Sequence, residues 1–466
     1  MSLAELTLVE LTGKIARREV SAVEATEAAL RRAEAAQPKL NAFIAIRADQ
    51  ALAQARAVDA GRVSGPLAGA PLAHKDMYYR EGQVSSCGSA ILRQRPAPTT
   101  ATALARLDAA GAVDLGGLSM TEFAVGPLGH NAHHGAIRNP WNAEHAPGGS
   151  SSGSGASPAA RVVYGALGSA TGGSIRLPAS FCGVVGIKPT QTRVSRHGAM
   201  PLSFSFDCVG PLARTVRDAA RLLDAIAGWD ANDATSSPRP VDDCEAACGR
   251  PARGLRLGVP TSYYDEKLHP DAASALEAAR GVFASLGVEL VSVDVPDHEP
   301  INMLWQAILS AEAAAIHRKW LIERPQDYQP QVKRRIELGL YLPATRYVEA
   351  LAARGPIAQG FLDDVFTRCD VMLTPTTPFP APRLDETDVG AKEGALELIL
   401  RISQFTRPIS FLGFPAVSLP CGFSAAGLPL GMQLVGRPFA EATLCRLAHA
   451  YEQETDWTRR KPALAG

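Results

Sequence analysis

Cysteine is scarce and poorly placed for either of its structural uses. Eight thiols spread over 466 residues are too few for a disulfide scaffold, and none form the CxxC pairs of a structural zinc site. Cys244 and Cys248 come nearest, four apart in a Pro- and Asp-rich stretch with no histidine nearby. Net charge is missing as well: 47 basic and 47 acidic residues cancel, which removes any global pull toward nucleic acid or an anionic membrane. No apolar run is long enough to span a bilayer. Residues 1–10 are amphipathic and acidic, unlike the basic and then apolar opening of a secretion signal. Glycine (41) and proline (34) stay well below the share of about 25–30% that marks low-complexity sequence. These absences exclude disorder as the main state, argue against a secreted, membrane-spanning or polyanion-binding protein, and lead to the expectation of a cytoplasmic one.

What is present is ample apolar material, 46% of the chain, enough for a large core. Leu3, Leu6, Leu8, Val9 and Leu11 recur on one helical face, and Ser21-Ala22-Val23-Glu24 supplies an S-x-x-E cap before a second helix. A third helix is expected over residues 51–60, another over 101–110, and a buried strand over 112–117. GLRLGVP, the amphipathic stretch 271–286 and VELVSVDV form a β-α-β arrangement. Long helices are expected over 301–323 and 329–353, a strand at 370–375, and strand-strand-helix from FPAVSLPCG to the end. Strands alternating with helices throughout predict an α/β fold, a large mixed sheet covered on both faces by helices. One domain over 1–466 is expected, with a helical N-terminal segment over about 1–65 and an insertion over about 236–365.

The most unusual sequence is APGGSSSGSG, residues 146–155. By composition it is a flexible linker, but it lies between NPWN and an apolar run, with a second Gly-rich turn, TGGSIRLPAS, shortly after. Thr171-Gly172-Gly173-Ser174 would present successive N–H groups in a tight loop, a nest able to hold an anion. A hydrolytic serine needs a base. His130, His133, His134 and His145 fit a zinc or triad reading on spacing alone, although no carboxylate accompanies the HNAHH run. The other candidate is Lys75 in AHKD, which burial would keep neutral and able to accept a proton.

At these residues the sequence resembles the amidase signature family of serine hydrolases. AHKD, GGSSSGSG and GSATGGSIRLPASFCGVVGIKPT carry the likeness, and NPWN, TPTTPFP, GFPAVSLPCGF and GLPLGMQLVGRPF extend it over most of the chain outside about 236–365. The resemblance implies a Ser-cisSer-Lys triad: Ser174 as nucleophile, Ser150 as the bridging serine after a cis peptide, and Lys75 as base. It also implies an oxyanion hole made by the backbone N–H groups of Thr171, Gly172, Gly173 and Ser174. Ser151 would support the triad and Arg176 would brace the loop. No metal and no cofactor are implied.

Two departures stand out. The family often has GTDTGGS where this chain has GSATGGS, so a loop carboxylate is replaced by Ala170, and Ser152 stands where a glycine is usual. The main functional expectation is a free hydrolase of carboxylic amides, extended to carbamates. The alternative is the amidase subunit of a tRNA-dependent amidotransferase releasing ammonia from glutamine, against which Leu177 stands where that subunit commonly has glutamine. Met77, Tyr78, Tyr79, Met120, Phe123, Leu128 and Leu177 suggest an apolar pocket, and no extra Arg or Lys in these loops marks a carboxylate clamp. The expected partner is therefore a small neutral amide or carbamate, bound by a monomer or homodimer without nucleic acid or membrane.

Overall fold

Alternating short strands and helices organise the chain around one sheet. The computed structural model describes residues 2–265, 268–389 and 393–465. Eleven strands, β1 (Phe43–Ile46), β2 (Pro71–Lys75), β3 (Val113–Leu118), β4 (Gly165–Ala170), β5 (Val185–Lys188), β6 (Cys208–Ala213), β7 (Arg256–Pro260), β8 (Glu289–Val293), β9 (Val371–Pro375), β10 (Ala416–Phe423) and β11 (Pro429–Gly436), lie in the order β1-β3-β2-β4-β6-β5-β10-β11-β9-β7-β8. The sheet is mixed: β2 runs parallel to β3 and β4, whereas β6, β5, β10, β11 and β9 are joined by antiparallel pairings. The chain has the α/β architecture expected of it. Successive side chains along a strand face opposite ways, and Ala166 and Leu167 accordingly enter different apolar clusters.

Local signals account for the helices. Ser21 Oγ accepts from Glu24 N at 3.0 Å while the Glu24 carboxylate accepts from Ser21 N at 2.9 Å, a reciprocal cap for the helix Ala22–Leu40 that contributes about 1 kcal/mol. The serine-rich run is no linker. Residues Ser152–Ala159 form a wholly buried helix, where the absence of side chains permits close packing: a Cβ on Gly155 would lie 2.8 Å from the Cβ of Pro178. The long helix expected over 329–353 is two, Pro330–Glu337 and Ala344–Asp364. The break falls at Leu342-Pro343, because the residue before a proline is driven out of helical geometry.

Register positions the site. Parallel strands β2 and β4 end at the same edge of the sheet, and His74 lies opposite Leu167, so Lys75 arrives level with the end of β4 from which the 171–174 loop departs. On the other side of β4, Ala170 pairs with Cys208, which brings Asp207 to Thr171.

Candidate active site

Lys75 is fully buried at the end of β2, and its Nζ donates to Ser150 Oγ at 2.7 Å and to Ser169 Oγ at 2.8 Å. Burial lowers its pKa to about 7, against the opposing charge of Asp207. The Gly149–Ser150 peptide is cis. Ser150 is also buried, and its carbonyl accepts from Thr121 N at 3.2 Å. Ser151 ties the two segments together, its Oγ accepting from Ser169 N and donating to Ser169 O, both at 3.1 Å.

Ser174 alone in the 171–174 loop is only partly buried. Among the described residues the N–H groups of Gly172, Gly173 and Ser174 have no acceptor, so the loop presents free donors beside that hydroxyl. Four bonds from Arg176 brace it: to Gly172 O at 3.3 Å, Thr406 O at 2.8 Å, Ser410 Oγ at 2.8 Å and Gln433 Oε1 at 2.7 Å. Trp305 covers it from outside, donating to Thr171 O at 3.1 Å. A Cβ on Gly172 would lie 2.6 Å from that indole, so glycine is required by space.

The loop's carboxylate is displaced in sequence rather than lost. Asp207 accepts from Thr171 Oγ1 at 2.6 Å and from the N–H groups of Leu202 and Ser203 at 2.8 and 2.9 Å. Burial raises its pKa and these bonds oppose the rise.

The residues expected to line a pocket divide into several groups. Met77 accepts from Ser169 Oγ at 2.9 Å, and Tyr78 donates to Gly168 O at 2.5 Å. Met120 and Phe123 belong to the core and the partly buried Tyr79 packs against it, Phe123 meeting His317, Trp320 and Tyr328. Leu128 and Leu177 share an apolar cluster with Ile399 and Ile402 beside the loops.

Two of the three histidines of HNAHH are otherwise engaged, and the Nε2 of the third, His134, is enclosed without a partner. His133 pairs with the buried carboxylate of Glu122 at 2.9 Å, and His130 with Thr387 at 2.8 Å. Among the described residues no group of three or more His, Cys, Asp or Glu is placed to hold a metal. Sequence reasoning missed Ser169, Asp207, Trp305 and two arginines, Arg335 and Arg407. Arg335 comes to the 121–129 loop and Arg407 to the 171–174 loop from far along the chain.

The amidase family model matches residues 24–445. The chain belongs to the amidase family. Its members hydrolyse carbon–nitrogen bonds, and the chain is an amidase by that membership. One subunit of the glutamyl-tRNA(Gln) amidotransferase of Geobacter sulfurreducens is 43% identical, with both chains fully covered. The solved structure of the corresponding subunit from Thermotoga maritima is 32% identical with a TM-score of 0.83, covering 98% of this chain and 96% of that one. A solved chain from a vestigial protein complex, one that bears on the evolutionary origins of an s-triazine catabolic enzyme, is 35% identical with a TM-score of 0.89, covering 96% of this chain and 98% of that one.

These likenesses correct the expectation about partners. Relatives matched over their full length include amidotransferase subunits, named for a tRNA, which overturns the view of a monomer or homodimer meeting only a small molecule and no nucleic acid. No helix among the described residues is long and apolar enough to cross a membrane.

Proposed function

We propose that this amidase is the ammonia-releasing subunit of a tRNA-dependent amidotransferase, acting on the side-chain amide of glutamine in the cytoplasm with partner subunits. The observation that carries this reading is full-length similarity, at 40–43% identity, to the glutamyl-tRNA(Gln) amidotransferase subunits. Leu177 departs from the glutamine expected there, but it faces the apolar cluster with Leu128 and Phe181, so the change alters packing beside the loop rather than the reacting groups. The carbamate extension finds no support among the relatives and is dropped.

In the proposed mechanism neutral Lys75 takes the proton of Ser150 as Ser150 takes that of Ser174, whose Oγ attacks the amide carbon. The resulting oxyanion is received by the free N–H groups of Gly172, Gly173 and Ser174, each donor worth roughly 2.7–4 kcal/mol where one has been removed elsewhere. Collapse of this intermediate breaks the C–N bond. The nitrogen leaves as ammonia with the proton returned through Ser150, and water then attacks the Ser174 ester to free the acid. Thr171 is held by Asp207, which keeps the loop in position without a carboxylate at position 170.

The test is ammonia release from L-glutamine by the purified chain, followed by conversion of glutamyl-tRNA(Gln) to glutaminyl-tRNA(Gln) on adding the partner subunits of a relative. Ammonia release without transfer, in an assembled complex, would refute the subunit reading while leaving the amidase chemistry intact.

A further inference from the structure

Two positive charges stand at the catalytic loops without acidic partners. Arg335 projects from the helix Pro330–Glu337 onto the 121–129 loop, and a Cβ on Gly126 would lie 3.6 Å from its Nη1. This loop holds the bridging serine, through the Thr121 N–H to Ser150 O. Arg407 comes from a separate helix, Arg407–Leu412. Its neighbour Thr406 packs on Gly173, and its guanidinium lies over Trp305, 5.2 Å from the ring centre, with the same indole covering Gly172. Arg335 is thus tied to the loop that holds Ser150, and Arg407 to the loop that carries Ser174.

Neither guanidinium has an ion-pair partner among the described residues. Arg407 has one hydrogen bond, to Leu400 O at 3.1 Å, and its Nε is enclosed without an acceptor. Arg335 makes none. Burial lowers the pKa of both, that of Arg407 to about 10, with Arg335 pressing on it further, while Tyr263 and Glu299 act in the other direction. Glu299 is on the surface and forms no ion pair with Arg407. Two half-buried cations held together without a counter-ion are a cost to the folded chain, and an anion delivered beside Ser174 would offset it through charge-assisted, forked hydrogen bonds.

We propose that Arg407, acting with Arg335, is a specificity-determining residue that clamps a carboxylate on the acyl part of the substrate. The substrate class is then a primary amide whose acyl chain carries a carboxylate, replacing the neutral acyl group expected from the loops alone. Glutamine falls in this class, but the inference rests on the amidase chemistry alone and not on glutamine as the preferred substrate. It also goes further. Two cations with no carboxylate paired to them disfavour an ammonium beside the substrate's carboxylate, so the ω-monoamide of a dicarboxylic acid is the better ligand than the amino-acid amide of equal length.

The experiment compares 4-carbamoylbutanoate, L-glutamine and pentanamide as substrates of the wild type, Arg407→Met, Arg407→Lys and Arg335→Met, with thermal melts to show folding. Binding of glutarate is measured by calorimetry in parallel. The wild type is expected to favour 4-carbamoylbutanoate over pentanamide by about tenfold or more in kcat/KM, the scale of a hydrogen bond to a charged group. Arg407→Met should erase most of that preference through KM and weaken glutarate about tenfold, with Arg407→Lys in between. Equal loss for charged and neutral amides, or a wild type that prefers pentanamide or glutamine, would overturn the proposal. If no amide is hydrolysed the amidase reading fails, and glutarate binding still decides the clamp: loss in both methionine variants supports it, and unchanged binding removes it.

Discussion

The Nζ of Lys75 and the Oγ of Ser150 are 2.7 Å apart, and neither side chain is open to solvent. A charged ammonium in that position has only the oxygens of Ser150 and Ser169 to replace its hydration, too little to hold the proton at the affinity it has in water. Placement and chemistry are therefore one design: the strand that buries Lys75 also makes it a base near neutrality.

Activity should follow that ionisation. With the Lys75 pKa brought to about 7, kcat/KM should fall about tenfold per pH unit below this value and level off above it. Lys75→Arg should be nearly as inactive as Lys75→Ala, because guanidinium keeps its proton. Recovery of a large share of activity by arginine would mean that the charge, rather than the basicity, is what counts.

Ser174→Ala should lower kcat about a thousandfold or more. The hydroxyl is at a partly exposed turn and its loss leaves the core untouched, so the unfolding free energy should change by no more than about 0.5 kcal/mol. Steady-state ammonia release and a denaturant titration check the two halves. A residual rate above about 1% would move the nucleophile elsewhere.

The parts of this site that are legible in sequence are those whose neighbours in space are neighbours in the chain. Lys75 at the end of an apolar run, and the two Gly-Ser stretches, mark themselves locally. Asp207 does not: the absent carboxylate at position 170 reads as a loss until the antiparallel pairing of Ala170 with Cys208 delivers another one. Arg407 is illegible for a related reason, since a single arginine after a threonine looks like surface, and only the packing of Thr406 on Gly173 places it at the loop. The HNAHH run reads as lacking an acid, yet Glu122 reaches His133 across a turn in which Phe123 and Ala124 have φ of 48° and 63°. That left-handed geometry is costly for residues with side chains and has no sequence signature.

Asp207→Asn should act on both the loop and the base. The one oxygen of the amide can go on receiving the N–H groups of Leu202 and Ser203, which now share Oδ2, but its NH2 then faces the Thr171 hydroxyl, which loses its acceptor at about 1–3 kcal/mol of stability, and kcat should drop as Thr171 loosens. The sign of the pH effect is fixed separately: the negative charge of Asp207 raises the Lys75 pKa, so its removal should move the midpoint of the kcat/KM profile to lower pH. A lower rate with an unmoved midpoint would show that Asp207 holds the loop without reaching Lys75 electrostatically.

Stability offers a reading of Lys75 that does not depend on any substrate. Its pKa is about 7 in the folded chain and near 10.4 when unfolded, so between those values the unfolded chain holds more protons on this group. Stability attributable to Lys75 must then rise with pH across that window. Below pH 7 both states are protonated and the full cost of a buried ammonium is felt; above about 10.4 both are neutral and the cost is gone. Lys75→Met keeps the side chain's apolar stem, one atom shorter, and removes the titration. It also leaves the hydroxyls of Ser150 and Ser169 without their donor, a penalty that does not vary with pH. The difference in Tm between methionine variant and wild type should therefore favour the variant most at pH 7 and shrink steadily toward pH 10. A difference that stays flat over this range would mean that Lys75 keeps its ordinary pKa in the fold, and the relay from Lys75 through Ser150 would lose its base.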